Sequence, residues 1–406
     1  MKEQFLNRES YLQQFMAWIE KPVIKVITGQ RRVGKSKFML QVMQHIKKSN
    51  KQANIIYINT EEEEFQHITD YKALQKEINA KLSKKAKNYL FVDEIQDIKK
   101  FELALRNYLA KNECDIYCTG SNSNLMSGEL ASYLSGRYVE FKIHPLSLDE
   151  FCLFHNLPKN NDTLLKYFRF GGMPFLRNLP LEELMVNEYL QSLYSTILLR
   201  DIAERHDIRN LHLLKSLSRY IADNTGSIFS SLSISKYLKS INLLVSPKSI
   251  LDYADYLKNA LLVNQIEKHD LKGKKLFSSG GKIYFEDLGL RNTVVGGFKI
   301  NDIQKILENS VYMHLARQNY KISTGVLNSQ EIDFIAEKNG KRIYVQVAYK
   351  LSSQETINRE FGNLLLIKDN FPKIVVTMDE LAGNDYQGIR HIHILDFLYS
   401  NYGFHI

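Results

Sequence analysis

The chain has 406 residues, of which 44% are hydrophobic, 11% aromatic and 24% charged. These proportions are typical of folded globular protein and exclude a chain that is mainly disordered. The length predicts two or three domains. The sequence contains neither a membrane-spanning apolar run nor an N-terminal signal pattern. We therefore expect a cytoplasmic protein without a transmembrane helix.

The cysteines and the charge distribution narrow the function classes further. Cys114, Cys118 and Cys152 are an odd number without CxxC spacing, which predicts neither a disulfide framework nor a zinc site. Between Arg205 and Lys299 there are 15 basic and 8 acidic side chains, so most of the net charge of +9 lies in this segment. Such a concentration is expected where a protein contacts an anionic partner such as nucleic acid, although ordinary solvated lysines give the same count.

Apolar runs alternate with helical stretches over the first third of the chain. The runs are VIKVIT (23–28), NIIYIN (54–59), YLFVDE (89–94), CDIYCTG (114–120) and YVEFKI (138–143). Apolar runs that are separated by helices predict a parallel sheet that is buried on both faces. We therefore predict an α/β domain over residues 1–205, in which residues from about 146 to 205 form a helical lid.

A loop with the pattern GxxxxGKS follows the first apolar run. It consists of Gly29, Gln30, Arg31, Arg32, Val33, Gly34, Lys35 and Ser36, and a helical pattern begins directly after it. In this strand–loop–helix setting the backbone N–H groups surround phosphates and the Lys35 ammonium reaches the outer phosphates. The Ser36 hydroxyl is a ligand for Mg²⁺. The loop therefore predicts a nucleotide site.

An acidic pair ends the apolar run at 89–94. Asp93 is predicted to hold Mg²⁺ and Glu94 to polarise the attacking water, which are two roles that ATP hydrolysis requires. Ser121 and Asn122 follow the next predicted strand. They either contact the γ-phosphate and orient the water or form an ordinary polar turn.

These motifs resemble those of a prokaryotic ATPase family of the AAA+ superfamily. The shared motifs are GQRRVGKS (29–36), DEIQ (93–96), TGSN (119–122), SGRY (135–138), HPLSLDEF (144–151) and GGMP (171–174). The resemblance covers essentially the whole chain and implies ATP and Mg²⁺ as cofactors. It also implies an arginine near the γ-phosphate, from the same chain or from a neighbouring subunit. Arg137 is the leading candidate, followed by Arg169 and Arg200.

Residues 206–295 have a pattern that is typical of a winged helix, with three helical segments and a basic hairpin. The helix that begins at Pro247 is predicted to enter the major groove, and the hairpin lysines are predicted to contact phosphates. These lysines are Lys272, Lys274, Lys275 and Lys282. Winged helices also bind proteins, and the acidic residues on the predicted recognition helix favour that alternative.

Residues 296–406 are predicted to form a second α/β domain, similar to the restriction-endonuclease-like nucleases. Glu308 in a helix and Asp333 and Gln346 on neighbouring strands stand where such nucleases hold Mg²⁺. The glutamine weakens this metal site because it removes one carboxylate. The segment therefore predicts a degenerate nuclease site.

The lysine that such nucleases use beside the attacking water is also displaced in the sequence. Ala348 stands at the expected position, and Lys350 is predicted to lie on the same strand face two residues later. Without two well-placed carboxylates and a nearby cation, cleavage is inefficient. We therefore expect a nuclease-derived fold that binds without cutting, with active cleavage as the alternative.

The sequence as a whole predicts an ATP-hydrolysing switch whose nucleotide state controls a C-terminal module that acts on nucleic acid. The alternative is an ATP-binding regulatory protein with slow turnover, which holds a protein partner through its C-terminal half. A small-molecule kinase is a third option, but the acidic pair and the large C-terminal region argue against it. Oligomerisation is compatible with the first two functions.

Overall fold

The computed structural model describes residues 7–121, 134, 136–273, 275–328, 330–380 and 385–399. The chain divides into two units, one of residues 1–144 with 259–261 and another of residues 145–258 with 262–406. All three cysteines are buried free thiols. In the described ranges, no helix has the length and apolar character needed to cross a membrane.

The first unit is built on one sheet. Its strands are β1 (Ile24–Thr28), β2 (Asn54–Asn59), β3 (Asn88–Asp93), β4 (Cys114–Gly120) and β5 (Tyr138–Lys142). Its helices are α1 (Glu9–Met16), α2 (Lys35–Ser49), α3 (Tyr71–Lys81) and α4 (Phe101–Ala110). All neighbouring strands are parallel, in the order β2-β3-β4-β1-β5. The predicted parallel α/β sheet is confirmed.

Apolar side chains cover both faces of this sheet. Every residue of β1, β3 and β4 is buried. Along β3, Leu90 and Val92 pack in one hydrophobic cluster, whereas Tyr89 and Phe91 pack in the other, as the period of two requires. Because the strands are parallel, the residues that follow β1 and β3 lie at the same edge of the sheet, and this edge carries the predicted site.

The second unit contains ten α-helices and seven strands in its described residues. The first six helices are α5 (Leu148–His155), α6 (Asn161–Phe170), α7 (Glu183–Thr196), α8 (Leu211–Asp223), α9 (Ser231–Ser240) and α10 (Pro247–Asn259). The other four are α11 (Leu288–Val295), α12 (Ile303–Arg317), α13 (Gln354–Leu365) and α14 (Ile394–Tyr399). The strands are β6 (Val263–Asp270), β7 (Lys275–Phe285), β8 (Lys321–Leu327), β9 (Gln330–Lys338), β10 (Lys341–Val347), β11 (Lys373–Thr377) and β12 (Arg390–His393).

These seven strands form one mixed sheet in the order β12-β11-β10-β9-β8-β6-β7. The hairpin that the sequence predicts as a wing is β6 with β7, and β6 pairs with β8 in parallel. The hairpin therefore extends the C-terminal sheet across the boundary that we predicted at residues 295–296. A winged-helix domain and a restriction-endonuclease-like domain stay predictions, since this architecture does not separate them.

The GGMP turn of the second unit is held by one buried carboxylate. Asp287 accepts hydrogen bonds from the backbone N–H of Gly172 at 2.7 Å and from that of Leu290 at 2.9 Å. The second bond caps the N-terminus of α11. A Cβ on Gly171, which has a φ of 75°, would lie 2.4 Å from the Asp287 carboxylate. Only glycine therefore fits at this position.

Candidate active site

The predicted phosphate-binding loop joins β1 to α2, and the helix begins at Lys35. Gly29 and Gly34 have φ angles of 153° and 100°. A Cβ on Gly29 would lie 2.4 Å from the backbone oxygen of Ile143, so a larger residue would displace the loop. The first N–H groups of α2 have no partners within the helix. The backbone thus presents donors to an anion at the carboxyl edge of the sheet.

The remaining loop side chains differ in their exposure. Gln30 and Val33 are buried, Arg31 and Ser36 are half-buried, and Arg32 is exposed. Neither polar atom of the Gln30 side chain has a hydrogen-bond partner among the described residues. Buried polar atoms of this kind need a ligand or water to satisfy them. The loop therefore contains donors and acceptors that its own fold does not use.

Lys35 and Glu94 face each other across the loop. The Lys35 side chain is 4% exposed, and its Nζ lies 3.5 Å from Glu94 Oε1. The same ammonium donates to the backbone oxygen of Gln30 at 3.3 Å. Burial alone would raise the pKa of Glu94, but Lys35, Gln96 and Arg31 hold this pKa below its ordinary value of 4.5. Glu94 is therefore ionised at neutral pH.

Thr119 ties the acidic pair together. Its hydroxyl donates to the Asp93 carboxylate and accepts the backbone N–H of Glu94 at 2.9 Å. The Tyr57 hydroxyl donates to Asp93 Oδ2 at 3.3 Å. The sequence assigned no role to Thr119 or Tyr57. The signal for Thr119 was its place at the start of the TGSN motif, whereas nothing in the sequence near Tyr57 indicates the contact.

Four further predicted residues have less defined surroundings. Ser121 follows β4 and is buried. Asn122 lies outside the described residues. Arg169 and Arg200 belong to the second unit, and both side chains are exposed. Of these four residues, Ser121 lies near Glu94 and helps to lower the pKa of that carboxyl.

Arg137 lies at the amino end of the first-unit sheet, opposite the carboxyl edge that carries the phosphate-binding loop. It directly precedes β5, whose first residue, Tyr138, pairs with Ile24 at the beginning of β1. The phosphate-binding loop follows Thr28 at the opposite end of β1. At about 3.3 Å per residue, the five residues of β1 separate the two positions by roughly 16 Å. The Arg137 side chain is exposed and lies away from the loop of its own chain.

A second group of charged side chains lies in the second unit. Lys282 Nζ lies 2.7 Å from Glu308 Oε1, 2.5 Å from Glu331 Oε1 and 3.0 Å from Asp333 Oδ1. We call these four residues the Lys282 cluster. Burial alone would lower the pKa of Lys282, but the three carboxylates hold it above its ordinary value. Burial and Asp333 raise the pKa of Glu308 to about 7, against the attraction of Lys282.

Gln346 lies beside this cluster, as the predicted strand register requires. Its Oε1 accepts the backbone N–H of Asp333 at 3.2 Å, and its Nε2 donates to Glu360 at 2.9 Å. A cavity of about 410 Å³ is lined by side chains from this group, Glu331 among them. The structure thus brings together Glu308, Asp333 and Gln346. The sequence did not reveal the participation of Lys282, Glu331 or Glu360.

Two predictions about lysines are corrected by the structure. Lys350 does not continue the strand face, because β10 ends at Val347 and Lys350 is exposed beyond it, near the ring of Tyr349. Lys282 is not an exposed wing residue, because it is 2% exposed and ion-paired in the cluster. Lys274 lies outside the described residues. Alternation along a strand predicts a face but not which face is buried.

Comparison with known proteins identifies the first unit and the family. Residues 21–152 match the family model described as an AAA domain, and residues 161–301 match a domain of unknown function. A protein of Haemophilus influenzae, described as uncharacterized, is 36% identical over 98% of this chain and 100% of its own length. The chain belongs to the family of this protein. An uncharacterized protein of Methanocaldococcus jannaschii is 32% identical over 81% of this chain and 75% of its own length.

The AAA-domain match supports an AAA+ P-loop ATPase domain, whose expected activities are ATP binding and hydrolysis. The expectation of an AAA+ ATPase is confirmed at this level. Among solved structures, the Aeropyrum pernix Orc1 protein in complex with DNA aligns with 71% of this chain and 92% of its own, at 13% identity and a TM-score of 0.32.

Proposed function

We propose that the protein is an ATP-hydrolysing switch in which the nucleotide state of the first unit controls the second unit. One contact supports the proposal most directly. Glu94 Oε1 lies 3.5 Å from the Nζ of Lys35, which belongs to the phosphate-binding loop. An ammonium at this position neutralises phosphate charge, and an ionised carboxylate next to it accepts a proton from water. The pair therefore supports hydrolysis rather than nucleotide storage alone.

The donor set of the loop suits Mg²⁺ and a nucleoside triphosphate. The Ser36 hydroxyl and the Asp93 carboxylate are the hard oxygen ligands that Mg²⁺ prefers. A bound Mg²⁺ would neutralise charge on the phosphates. Lys35 and the loop N–H groups bind the phosphates, and Glu94 orients the water. Thr119 fixes both acids, because its hydroxyl bonds to the Asp93 side chain and to the Glu94 backbone.

Arg137 is assigned to a neighbouring subunit's nucleotide in this proposal. It is exposed, and roughly 16 Å of β1 separates its position from the loop of its own chain at about 3.3 Å per residue. An arginine that stabilises the transferring phosphate must reach it directly. The arginine therefore fits a role between subunits better than a role within one chain.

The surface of α10 favours a protein over a nucleic acid as the partner of the second unit. The charged residues of this helix that face solvent are Lys248, Asp252 and Asp255, and Lys258 Nζ is paired with Asp255 at 2.5 Å. A helix that enters the major groove needs more basic than acidic residues on its exposed face, because DNA is negatively charged. The second candidate function, DNA binding through the hairpin, retains the exposed Lys272.

Exposed apolar side chains in the same segment support the protein partner. They are Ile228, Leu232, Tyr237, Ile241, Leu244 and Leu251, with exposures from 46% to 82%. A concentration of large exposed apolar residues within about 25 residues of sequence is consistent with a contact to another protein. This observation favours the regulatory alternative for the second unit, combined with an active ATPase.

The proposal is tested with Glu94→Gln, which keeps the shape of the side chain and removes its charge. We expect ATP binding to persist and turnover to fall by roughly 10²- to 10⁴-fold, since the polarising carboxylate is lost. Glu63→Gln, at an exposed position, is the matched control and should turn over like the wild type. Wild-type turnover in Glu94→Gln would refute the assigned role.

The partner is tested in the same assay. Duplex DNA added at two salt concentrations should leave the ATP turnover of the wild type unchanged if the partner is a protein. Stimulation by DNA that weakens at higher salt would instead support the nucleic-acid function. Purification of ATP-loaded Glu94→Gln from its host, with nuclease treatment, then identifies a protein that is retained only in the ATP state.

A further inference from the structure

The Lys282 cluster combines ligands that are usually found around a metal ion with an ammonium at their centre. Glu308 comes from α12, whereas Glu331 and Asp333 come from β9. Their oxygens converge on one point at 2.5–3.0 Å, and Lys282 Nζ occupies that point. Carboxylates that converge in this way bind divalent cations when the point is free.

We propose that the Lys282 ammonium takes the place of a divalent cation in the second unit, so that this cluster is stable without metal. The ammonium supplies positive charge from within the chain, and its three N–H groups match the three carboxylates. The inference is independent of the proposed ATPase, because all four residues belong to the second unit.

The other bonds of the cluster leave few oxygen positions for a metal ion. The Tyr284 hydroxyl donates to Glu308 Oε1 at 2.6 Å, and the backbone N–H of Val347 donates to Asp333 Oδ2 at 2.9 Å. Glu308 Oε1 and Asp333 Oδ2 are thus committed to O–H and N–H donors.

The glutamine at position 346 is also consistent with an ammonium in place of a divalent cation. An amide at this position bonds to Asp333 and Glu360 without adding a further negative charge beside the ammonium. Three carboxylates already face the single positive charge of Lys282, and the amide adds no fourth. The cavity beside the cluster is lined by Glu331, Asp333 and Glu360 together with Arg359, which is ion-paired with Glu360.

The test compares metal binding by the nucleotide-free wild type and by Lys282→Met. The readouts are bound Mn²⁺, measured from the loss of the free-ion EPR signal, and the melting temperature in EDTA and in MnCl₂. In the wild type, Asp333 should contribute nothing to Mn²⁺ binding. The wild type should also melt at the same temperature in both buffers. Lys282→Met should melt lower in EDTA and recover by about 5 °C or more in excess MnCl₂.

Two further variants keep the test decisive. Lys272→Met removes an exposed lysine and leaves the nucleotide site intact. Its Mn²⁺ binding and melting temperature should therefore match those of the wild type. If Lys282→Met does not fold, the double variant of Lys282→Met and Glu308→Gln is used instead. The second substitution removes one of the three clustered carboxylates. Mn²⁺ binding by the wild type that disappears in Asp333→Asn would overturn the inference. A lysine-free cluster that responds to Mn²⁺ no more than Lys272→Met would overturn it as well.

Discussion

At the scale of single residues, buried lysines serve different purposes in this chain. Lys25, Lys35 and Lys282 are all less than 5% exposed. Lys25 is paired with Asp115 inside the first unit, and Lys282 is surrounded by three carboxylates. Lys35 has one carboxylate neighbour, Glu94, at the longer distance of 3.5 Å, and it also donates to the backbone oxygen of Gln30 at 3.3 Å. A loosely paired buried ammonium is available to an anionic ligand, whereas a fully paired one is held by carboxylates that would be left as uncompensated buried charges without it.

Lys35→Ala is the variant that tests the loop at this scale. Removal of the ammonium should cost about 3 kcal/mol of nucleotide binding, because a charge-assisted contact to phosphate is lost, and should weaken ATP affinity by ~100-fold. Titration with a fluorescent ATP analogue measures this change. Lys37→Ala, two residues later on the exposed side of α2, is the matched control. Equal affinities in the two variants would place the nucleotide elsewhere.

At the scale of elements, Asp287 joins the GGMP turn to the start of α11. Asp287→Ala removes a helix cap and the acceptor for Gly172, so we expect a loss of about 2–3 kcal/mol in the free energy of unfolding. Ser230→Ala removes a half-buried cap of α9 and should cost about 1 kcal/mol. Urea unfolding measures both. Equal losses would show that the bond to Gly172 contributes nothing.

The same carboxylate should also make stability depend on pH. Burial raises the pKa of Asp287 to about 6 from 3.8, against the hydrogen bonds of Gly172 and Leu290. The folded state therefore holds this proton more tightly than the unfolded chain does. Its contribution is fully present below about pH 4 and is lost as the pH rises through about 6. Asp287→Asn cannot ionise and should lack this decline in unfolding experiments between pH 4 and 7.

At the scale of the whole molecule, the position of Arg137 makes the assembly testable. If Arg137 completes a neighbouring subunit's site, Arg137→Ala should lower turnover by ~10³-fold without affecting ATP affinity. Lys35→Ala should be inactive as well. A 1:1 mixture of the two variants should recover about a quarter of the wild-type turnover, because one subunit contributes the loop and the other the arginine.

The control for this mixing experiment combines Lys35→Ala with Glu94→Gln. Both lesions lie in the same site of the same chain, since Lys35 and Glu94 are in contact. No arrangement of subunits then contains a complete site, and no turnover should return. Recovery in the control, or its absence in the Arg137 mixture, would contradict the proposed role between subunits.

The sequence by itself determined the first unit in detail. The five apolar runs became β1 to β5; β1, β3 and β4 are buried in the middle of the covered parallel sheet, whereas β2 and β5 form its partly exposed edges. Gly29, Lys35 and Asp93 were identified from local patterns, since a phosphate-binding loop depends on the chain conformation over only eight residues. The contact between Glu94 and Lys35 was not predicted; the structure shows it at the sheet edge where β1 and β3 both end.

Only the tertiary structure decided the arrangement around Lys282 and the position of Arg137. Lys282 lies 26 residues before Glu308 and 51 before Asp333, and nothing local marks it as buried. Its burial depends on β6 pairing with β8, a non-local contact that turns the predicted wing into part of a larger sheet. Strand alternation gives each residue a face, but the neighbouring elements determine whether that face meets solvent or three carboxylates.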